Sequence, residues 1–493
     1  MTTRRPGIPA WTMVAAITVA GAALRLWLAA RNAGITMDSP LYVGMAESLA
    51  GGERMSGPAH HGYPALVALA GLLLPGRELP GRAVSIIAGI ALIPLVYRLA
   101  RQGATPRWAA WIAAALAALH PLLAVYSGPI MTETTFLALM LGGILLLERG
   151  RAPLAGLVLG IAYAVRPEAM VVAFVAAVAL LPGPKGMRAA LRFAGAFAIV
   201  AGCYVGVLSW ERGTFTLTPK TALVHPPTDT RAEAEWRVGD ADRPAVEPER
   251  SLPERIRWAA PGTAARYLPR LGLHLSRLVE SWPWPLLALS VVGFAVRPGP
   301  LAAPLAQILL LPLLGVGANL RFTLLFLPSL AVFAGVGGAW LVARADRARG
   351  VAIALVLAAA LLGAGWPWFG RPGSHALHFD DGPMAQMREA GAWLRRYGRP
   401  GATVMDRKAY VPFFAGMRHL QLPDDDYETI VRYAQASGAD YLVLEEFVVE
   451  TMRRQLLPLI ADARFREGEH RLRAVHHVRA GPHSGVVVME VVR

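Results

Sequence analysis

Apolar stretches long enough to cross a lipid bilayer recur along most of this chain. A membrane-spanning helix needs about 20 mainly apolar residues, because it must satisfy its backbone hydrogen bonds internally across the hydrocarbon core. We count about eleven such stretches, at residues 9–30, 82–100, 108–122, 132–147, 153–165, 169–181, 189–210, 285–296, 301–317, 322–343 and 351–366. The pattern restricts the chain to a polytopic α-helical membrane protein.

The composition supports this interpretation. Of the 493 residues, 55% are hydrophobic and only 17% are charged, whereas a soluble chain has about a quarter charged residues. The mean hydropathy is +0.41. The single cysteine, Cys203, falls inside a predicted span, so no intrachain disulfide can form.

Basic residues indicate how the predicted spans are oriented. Arginine-rich connections occur at every second turn between spans, which is typical of cytoplasmic loops, at residues 4–5, 98–107, 149–151, 185–192, 297 and 344–349. The N-terminus is therefore expected in the cytoplasm, and an odd number of spans places the C-terminus outside. The net charge of +15 is dispersed among these loops, which argues against a nucleic-acid partner.

Two polar parts interrupt the apolar pattern. Residues 31–81 and 211–280 are expected as external loops of a transmembrane domain at 1–369, with an amphipathic helix around 266–278. Residues 370–493 are expected to form a small external (periplasmic) α/β domain. Its predicted helices are 384–397 and 427–436, and its predicted strands are 403–405, 441–444 and 486–492.

An acidic residue follows the first predicted span, in the segment Met37-Asp38-Ser39-Pro40-Leu41-Tyr42. Ser39 suits an N-cap, Pro40 suits the first helical position, and Gly51-Gly52 would end the helix. Helix capping accounts for Ser39 and Pro40 but gives no reason for a carboxylate at Asp38. A carboxylate at the membrane edge can take the proton of a hydroxyl nucleophile, so Asp38 is the candidate catalytic residue.

The order of short motifs along the chain resembles the family 39 glycosyltransferases of the GT-C fold. These include the protein O-mannosyltransferases and the lipid A aminoarabinose transferases. The resemblance covers roughly residues 11–343 and is carried by the first span and by Asp38-Ser39-Pro40-Leu41-Tyr42, His60-His61-Gly62-Tyr63-Pro64, Arg82, residues 126–133 and Arg166-Pro167-Glu168.

The resemblance implies a reaction and its partners. Such enzymes pass a sugar from a polyprenyl phosphate to an acceptor hydroxyl on the outer face of the membrane, with inversion, and Asp38 matches their catalytic aspartate. The acceptor is a lipid, a glycan or a protein, and membrane lipids surround the site. Eukaryotic mannosyltransferases have Asp-Glu where this chain has Asp38-Ser39, which disfavours protein O-mannosylation.

The leaving phosphate of that reaction needs cations or N–H donors. The expected residues for donor and acceptor binding are Tyr42, His60, His61, Tyr63, Arg82, Glu133, Arg166, Lys220 and Arg321. Simpler alternatives stay open: arginines snorkel at helix ends, Glu133 favours a helix N-terminus, adjacent histidines in an interfacial loop are more often solvated, and Glu168 is expected to pair with Arg166.

Two other classes of protein and a metal site are alternatives to this hypothesis. A secondary transporter should have inverted repeats and polar residues near the midplane, but the sequence contains no convincing repeat. A non-enzymatic assembly protein of the cell envelope would make the acidic edge residues incidental. No compact ligand cluster indicates a metal, although Asp38 and Glu133 could share an ion. The Ala-, Arg-, Gly- and Pro-rich composition suggests a GC-rich bacterial genome, and together with the predicted spans it leads us to expect a bacterial cytoplasmic (inner) membrane.

Overall fold

The computed structural model describes residues 10–32, 34–55, 57, 59–183, 186–219, 252–313, 318–345, 384–462, 469–481 and 484–492. The chain divides into two compact units, and each is described by itself. The first contains most of the apolar helices, and the second contains the described residues 384–492 together with Ile35–Pro40 and residues 252–258. The predicted boundary at residue 370 and the predicted span 351–366 lie outside the described residues.

The apolar part of the chain consists of helices joined by short connections in its described ranges. The helices are α1 Ala10–Arg31, α2 Ser39–Ala50, α3 Gly62–Gly71, α4 Leu79–Ala100, α5 Arg107–Leu119, α6 Pro121–Val125, α7 Glu133–Glu148, α8 Ala152–Val165, α9 Glu168–Leu180, α10 Gly186–Arg212, α11 Leu252–Ser281, α12 Trp284–Val296, α13 Gln307–Leu313, α14 Leu320–Thr323 and α15 Leu327–Arg344, with a 3-10 helix at Pro300–Ala306 before α13.

Within the described ranges, four helices are long and apolar enough to cross a membrane, namely α1, α4, α10 and α15. The bent pair Arg266–Ser281 and Trp284–Val296 could form a fifth span. The predicted class of polytopic helical membrane protein is confirmed. The predicted number of spans stays a prediction, because several of the other apolar helices are only 10–17 residues long.

One predicted span, at 108–122, is broken in the structure. Helix α5 ends before His120, whose backbone is extended (φ −61°, ψ 123°), and α6 starts at Pro121. A proline has no N–H to continue the helical ladder, so carbonyls at the end of α5 need other partners. The Arg25 guanidinium of α1 donates to two of them, at 3.0 Å to Ala117 O and 2.9 Å to Ala118 O.

The second unit is an α/β domain with a five-stranded sheet. Its elements are α16 Met384–Tyr397, β1 Thr403–Asp406, α17 Tyr410–Ala415, β2 Arg418–Gln421, α18 Tyr427–Ala436, β3 Tyr441–Glu445, α19 Glu446–Thr451, a 3-10 turn Arg454–Leu456, α20 Leu457–Ala461, β4 Leu472–Val478 and β5 Val486–Val491. The strand order is β2-β1-β3-β5-β4, with β1 parallel to β2 and β3, and β5 antiparallel to its neighbours.

Every helix and strand predicted for the tail is present, with ends that differ by no more than one residue. The sequence did not indicate β2 or β4. Strand β2 has only four residues and is mostly exposed, whereas β4 contains a register shift between Ala474 and His476. Both lie at the edges of the sheet, where the apolar alternation that reveals a buried strand is weakest.

Candidate active site

A buried carboxylate shared by two arginines forms a polar cluster in the helical unit. Glu133, the first residue of α7, is 1% exposed. Its Oε1 accepts from Arg166 Nη1 at 2.6 Å and from Arg321 Nε at 2.5 Å. Its Oε2 is buried and has no hydrogen-bond partner among the described residues. The cluster therefore joins the start of α7 to the end of α8 and to α14.

Almost all hydrogen-bond donors of the Arg166 side chain are used within this cluster. It is 3% exposed, and besides Glu133 it donates to Thr132 Oγ1 at 3.0 Å. Its Nε and Nη2 donate to the two oxygens of Glu168 at 3.2 and 2.6 Å. These four bonds use four of the five N–H groups of a guanidinium. The expected pairing of Glu168 with Arg166 is present.

Arg321 differs from Arg166 in its exposure. Its side chain is 23% exposed, and the short helix α14 that carries it is capped by Asn319, whose side chain accepts from the Arg321 backbone N–H at 2.9 Å. A guanidinium that is fixed on one side and accessible on the other can bind an anion that enters from solvent. Of the two arginines in the cluster, Arg321 has the better access.

Asp38 lies in the turn before α2 and is half-buried. The turn is closed by Ser39, whose Oγ accepts from the Thr36 N–H at 2.8 Å and whose N–H donates to Thr36 O at 3.0 Å. Ser39 is the first helical residue and binds backward along the chain, so its expected role as an N-cap is wrong. The helix does end at the expected glycines, since Gly52 has a φ of +77°.

Tyr42 and Tyr63 are buried and form an edge-to-face pair with their ring centroids 5.3 Å apart. The Tyr63 hydroxyl donates to Gly81 O at 3.0 Å and lies 2.8 Å from Ser85 Oγ. Ser85 Oγ in turn donates to Met131 O at 3.2 Å. These bonds link α3 and α4 to the segment that leads into Glu133.

The adjacent histidines are buried, which rules out the alternative that they are solvated; their expected role in donor or acceptor binding stays a prediction. His60 and His61 are 2% and 7% exposed. His60 Nε2 lies 2.9 Å from Thr218 Oγ1, and its ring contacts Tyr163 and Tyr204 at centroid distances of 5.6 and 5.5 Å. The two tyrosines come from α8 and α10, and only packing brings them to His60. No local pattern in the sequence indicates them.

Of the two other cations expected to bind the donor, the structure describes Arg82 but not Lys220. The Arg82 guanidinium donates to Ala29 O and packs against Gly34, which has a φ of +74°. It therefore satisfies a carbonyl near the end of α1. Lys220 lies outside the described residues. The part of the chain that the structure describes contains no group of three or more His, Cys, Asp or Glu that could hold a metal ion.

Part of this region matches a known family model. Residues 74–180 match the model described as dolichyl-phosphate-mannose-protein mannosyltransferase. This stretch contains Arg82, Glu133 and Arg166. No curated protein sequence matches the chain.

Two solved membrane proteins are similar to the chain in fold. ArnT from Cupriavidus metallidurans, bound to undecaprenyl phosphate, is 13% identical with a TM-score of 0.60, and the match covers 97% of each chain. The oligosaccharyltransferase AglB from Archaeoglobus fulgidus, in complex with an inhibitory peptide and a dolichol-phosphate, is 13% identical with a TM-score of 0.56. That match covers 96% of this chain and 74% of AglB.

These comparisons define the class of the protein. At 13% identity the similarity is one of fold, and it extends over nearly the whole chain. The chain is a multi-pass membrane protein of the GT-C fold with a small C-terminal sheet domain. The fold predicted from the sequence motifs is confirmed.

Proposed function

We propose that this chain is an integral membrane glycosyltransferase that moves a sugar from a polyprenyl phosphate donor to an acceptor hydroxyl. The observation that carries the proposal is the buried Glu133 carboxylate shared by Arg166 and Arg321, in a fold of this class. The family model matched by residues 74–180 describes a transferase that uses a dolichyl phosphate sugar. The similar structures of ArnT and AglB were solved with polyprenyl phosphates bound.

Arg321 is the proposed partner of the donor phosphate. When the sugar leaves, negative charge develops on the lipid phosphate, and a fixed guanidinium stabilises that charge. Glu133 binds Arg321 through its Nε, and Arg166 holds Glu133 in place. In this proposal Glu133 and Arg166 are positioning residues, and the tyrosine and histidine clusters shape the walls around the donor or acceptor.

Asp38 is the proposed general base. A single inverting displacement needs one carboxylate to take the acceptor proton, in contrast to the two carboxyl groups of glycoside hydrolysis. Asp38 stands in a turn fixed by the bonds between Thr36 and Ser39, so its position is well defined. The acceptor is a lipid, a glycan or a protein, and the reaction is proposed to need no metal.

The proposed location is the bacterial cytoplasmic membrane, with the N-terminus inside and the tail outside. This orientation follows from the alternation of arginine-rich connections. It places the reaction on the outer face, where lipid-linked sugars meet envelope acceptors.

Transfer of a radiolabelled sugar from polyprenyl phosphate by the purified protein in lipid nanodiscs tests the proposal. The wild-type protein should transfer label to an acceptor. Asp38→Asn removes the base but keeps the size of the side chain, so turnover should fall at least about a hundredfold, or about 2.7 kcal/mol. Glu53→Gln changes an exposed acid in the same polar region and should have no effect.

Two results would overturn parts of this proposal separately. If the wild-type protein transfers no sugar from any polyprenyl phosphate donor, the enzymatic function is wrong. If Asp38→Asn turns over at a near-normal rate, the function stands and the assignment of Asp38 is wrong.

A further inference from the structure

Helix α7 begins at Glu133 without a side-chain cap. The residue before it, Thr132, has helical backbone angles (φ −75°, ψ −19°) and makes no capping hydrogen bond from its side chain. Its Oγ1 instead accepts from Arg166 Nη1 at 3.0 Å. The first N–H groups of a helix have no intrahelical partners, so an uncapped start is weakly held by the helix itself. Other contacts must fix the position of the Glu133 carboxylate.

A buried hydroxyl on α4 bonds to the chain just before Glu133. Ser85 is fully buried, and its Oγ donates to Met131 O at 3.2 Å. The same oxygen lies 3.4 Å from the Met131 backbone N and 2.8 Å from the Tyr63 hydroxyl. A serine hydroxyl has one donor and two lone pairs, so these contacts use its full capacity. Ser85 therefore holds both backbone polar groups of Met131.

The backbone of Ser85 bonds to the chain on the other side of Glu133. Thr134 is fully buried, and its Oγ1 donates to Ser85 O at 3.0 Å. The next residue, Thr135, also has a buried hydroxyl, but that hydroxyl has no hydrogen-bond partner among the described residues. One residue of α4 is thus bonded to the residue two before Glu133 and to the residue one after it.

Close packing against the first turn of α4 adds to these bonds. A Cβ on Gly81 would lie 2.6 Å from Ile130 Cγ2, so a glycine is needed for α4 to approach the chain this closely. The Ile130 N–H donates to Gly34 O at 3.0 Å. Each residue from 130 to 134 therefore has a contact outside α7, and α4 provides most of these contacts.

The position of Glu133 matters because of the bonds that it makes. Its Oε1 accepts from Arg166 at 2.6 Å and from Arg321 at 2.5 Å. Such charge-assisted bonds depend steeply on distance and angle. A shift of Glu133 would therefore loosen the Arg321 guanidinium, and a misplacement of about 1 Å in a catalytic site can cost about a hundredfold in rate.

We propose that Ser85 is a positioning residue for binding of the donor phosphate. Through its bonds to Met131 and Thr134 it holds Glu133 where that carboxylate orients Arg321. Ser85 has no exposed surface, so it acts through Glu133 and not by touching the ligand. This inference rests on the phosphate role proposed above for Arg321, and it adds α4 to the elements that determine donor affinity.

Two adjacent threonines provide a matched pair of variants. Thr134→Val keeps the shape of the side chain but removes the bond to Ser85 O, whereas Thr135→Val removes a hydroxyl without a partner among the described residues. Undecaprenyl phosphate is titrated into the purified full-length protein in nanodiscs. The dissociation constant should rise at least about threefold in Thr134→Val, which corresponds to one lost hydrogen bond, and should not change in Thr135→Val. Equal affinity in the two variants would overturn the proposal.

Removal of the Ser85 hydroxyl should have a larger effect. Ser85→Ala should raise the same dissociation constant at least about tenfold. The control is Ser290→Ala on α12, because Ser290 is also buried and its Oγ bonds to Leu286 O, Leu330 O and Trp282 Nε1. This control should lower the melting temperature but keep the donor affinity. Equal loss of affinity in both variants would show that affinity follows overall stability, and would contradict a specific role of Ser85.

A double-mutant cycle tests whether Ser85 acts through Glu133. In a Glu133→Gln background, Ser85→Ala should change the dissociation constant less than about twofold, because the carboxylate through which it acts is already gone. A purely structural role of Ser85 would give the same fold-change in both backgrounds. That result would overturn the proposal.

Hydrogen exchange distinguishes this inference from the function on which it rests. The peptide that contains residues 128–136 should exchange faster in Ser85→Ala than in the wild-type protein, whether or not a donor binds. Unchanged exchange would overturn the positioning role and leave the proposed function intact. If the wild-type protein does not bind undecaprenyl phosphate, the phosphate role of Arg321 is wrong, and the role of Ser85 in donor affinity is wrong with it.

Discussion

At the scale of single residues, the two arginines that share Glu133 have different surroundings. Arg166 is buried and makes four hydrogen bonds to three residues. Arg321 is partly exposed and touches the same carboxylate through Nε. From the sequence alone, both arginines were equal candidates for binding the donor phosphate. Their different burial supports phosphate binding by Arg321 and a structural role for Arg166.

Substitution by lysine should therefore affect the two positions differently. Arg321→Lys keeps the charge but loses the planar pair of donors, so donor affinity should fall, and Arg321→Ala should lower it further. Thermal stability without donor should change little in Arg321→Lys, because this variant keeps a positive charge beside the buried Glu133. The measurement is a titration of purified protein with polyprenyl phosphate. Unchanged affinity in Arg321→Lys would contradict its phosphate role and leave Lys220, Arg82 or backbone donors.

Arg166→Lys should instead reduce stability. Lysine cannot reproduce the paired bonds to Glu168 while also reaching Thr132 and Glu133, so buried charge is left uncompensated. Disrupting a buried ion pair costs about 3–5 kcal/mol, and the melting temperature in detergent should fall clearly. Arg151→Lys, at an exposed position, is the matched control. If Arg166→Lys melts like wild type but loses donor affinity, Arg166 itself binds the phosphate.

At the scale of elements, Arg25 shows how a charge within an apolar helix can support the fold. It is fully buried and donates to Ser127 Oγ at 3.2 Å and Gly21 O at 3.0 Å, besides the two carbonyls at the end of α5. Cations are favourable at helix C-termini, where carbonyls lack partners. The end of α5 before His120 therefore leaves carbonyls that need a donor, and Arg25 on α1 supplies it.

Arg25→Met should destabilise the helical unit, because methionine leaves the carbonyls of Ala117 and Ala118 unpaired in the interior. Hydrogen bonds from a charged donor contribute about 1.5–3 kcal/mol each, so a loss of at least about 3 kcal/mol is expected. Thermal unfolding in detergent measures it. Arg31→Met, at the exposed end of the same helix, should be nearly neutral. Equal melting of the two variants would mean that α5 ends without help from Arg25.

At the scale of the whole molecule, the tail contains ionisable groups that the proposed reaction does not use. Asp406 ends β1 and Glu445 ends β3, and these strands are parallel neighbours, so both carboxyls lie at one edge of the sheet. They are 1% and 6% exposed. The backbone N–H groups of Arg407, Lys408 and Val411 point toward Asp406, but neither of its side-chain oxygens has a well-formed hydrogen bond to a described residue.

The stability of the tail should therefore fall as pH rises. Burial raises the pKa of Glu445 to about 7, and burial together with the charge of Glu445 raises the pKa of Asp406 well above its ordinary value. A raised pKa means that the folded state holds protons that the unfolded chain releases from about pH 4 upward. The stabilisation is complete below about pH 4 and is lost as pH rises through 7.

Hydrogen exchange of peptides from β1 and β3 in the full-length protein, corrected for intrinsic exchange, measures this effect. Protection should decrease between pH 5 and pH 9. Glu445→Gln should flatten the dependence, whereas Glu389→Gln, at an exposed position of the same domain, should keep it. Protection that increases with pH in the wild-type protein would show that the buried carboxyls are ionised and stabilised by other groups.

The orientation of the whole molecule is open to a labelling experiment. The alternation of arginine-rich connections and the predicted odd number of spans lead us to expect the tail outside. A cysteine introduced at Gly373→Cys in a Cys203→Ala background should react with an impermeant thiol reagent in intact cells. Reaction only after lysis would place the tail in the cytoplasm and overturn the proposed external site.

The sequence by itself determined the features that depend on local order along the chain. Apolar length predicted membrane helices, the pair Gly51-Gly52 predicted the end of α2, and local patterns predicted two helices and three strands of the tail. These features follow from hydrophobic transfer and backbone geometry, which act on neighbouring residues. The motifs around Asp38 and Arg166 were sufficient to indicate the GT-C fold.

The tertiary structure decided which polar residues meet. Glu133 binds partners that are 33 and 188 positions away, His60 is buried by tyrosines from two other helices, and Arg25 reaches carbonyls 92 and 93 positions away. A one-dimensional pattern contains no information on such distances. The physical reason is that a buried charge or ring must find partners wherever helix packing places them, and that packing is settled only when the whole chain is folded.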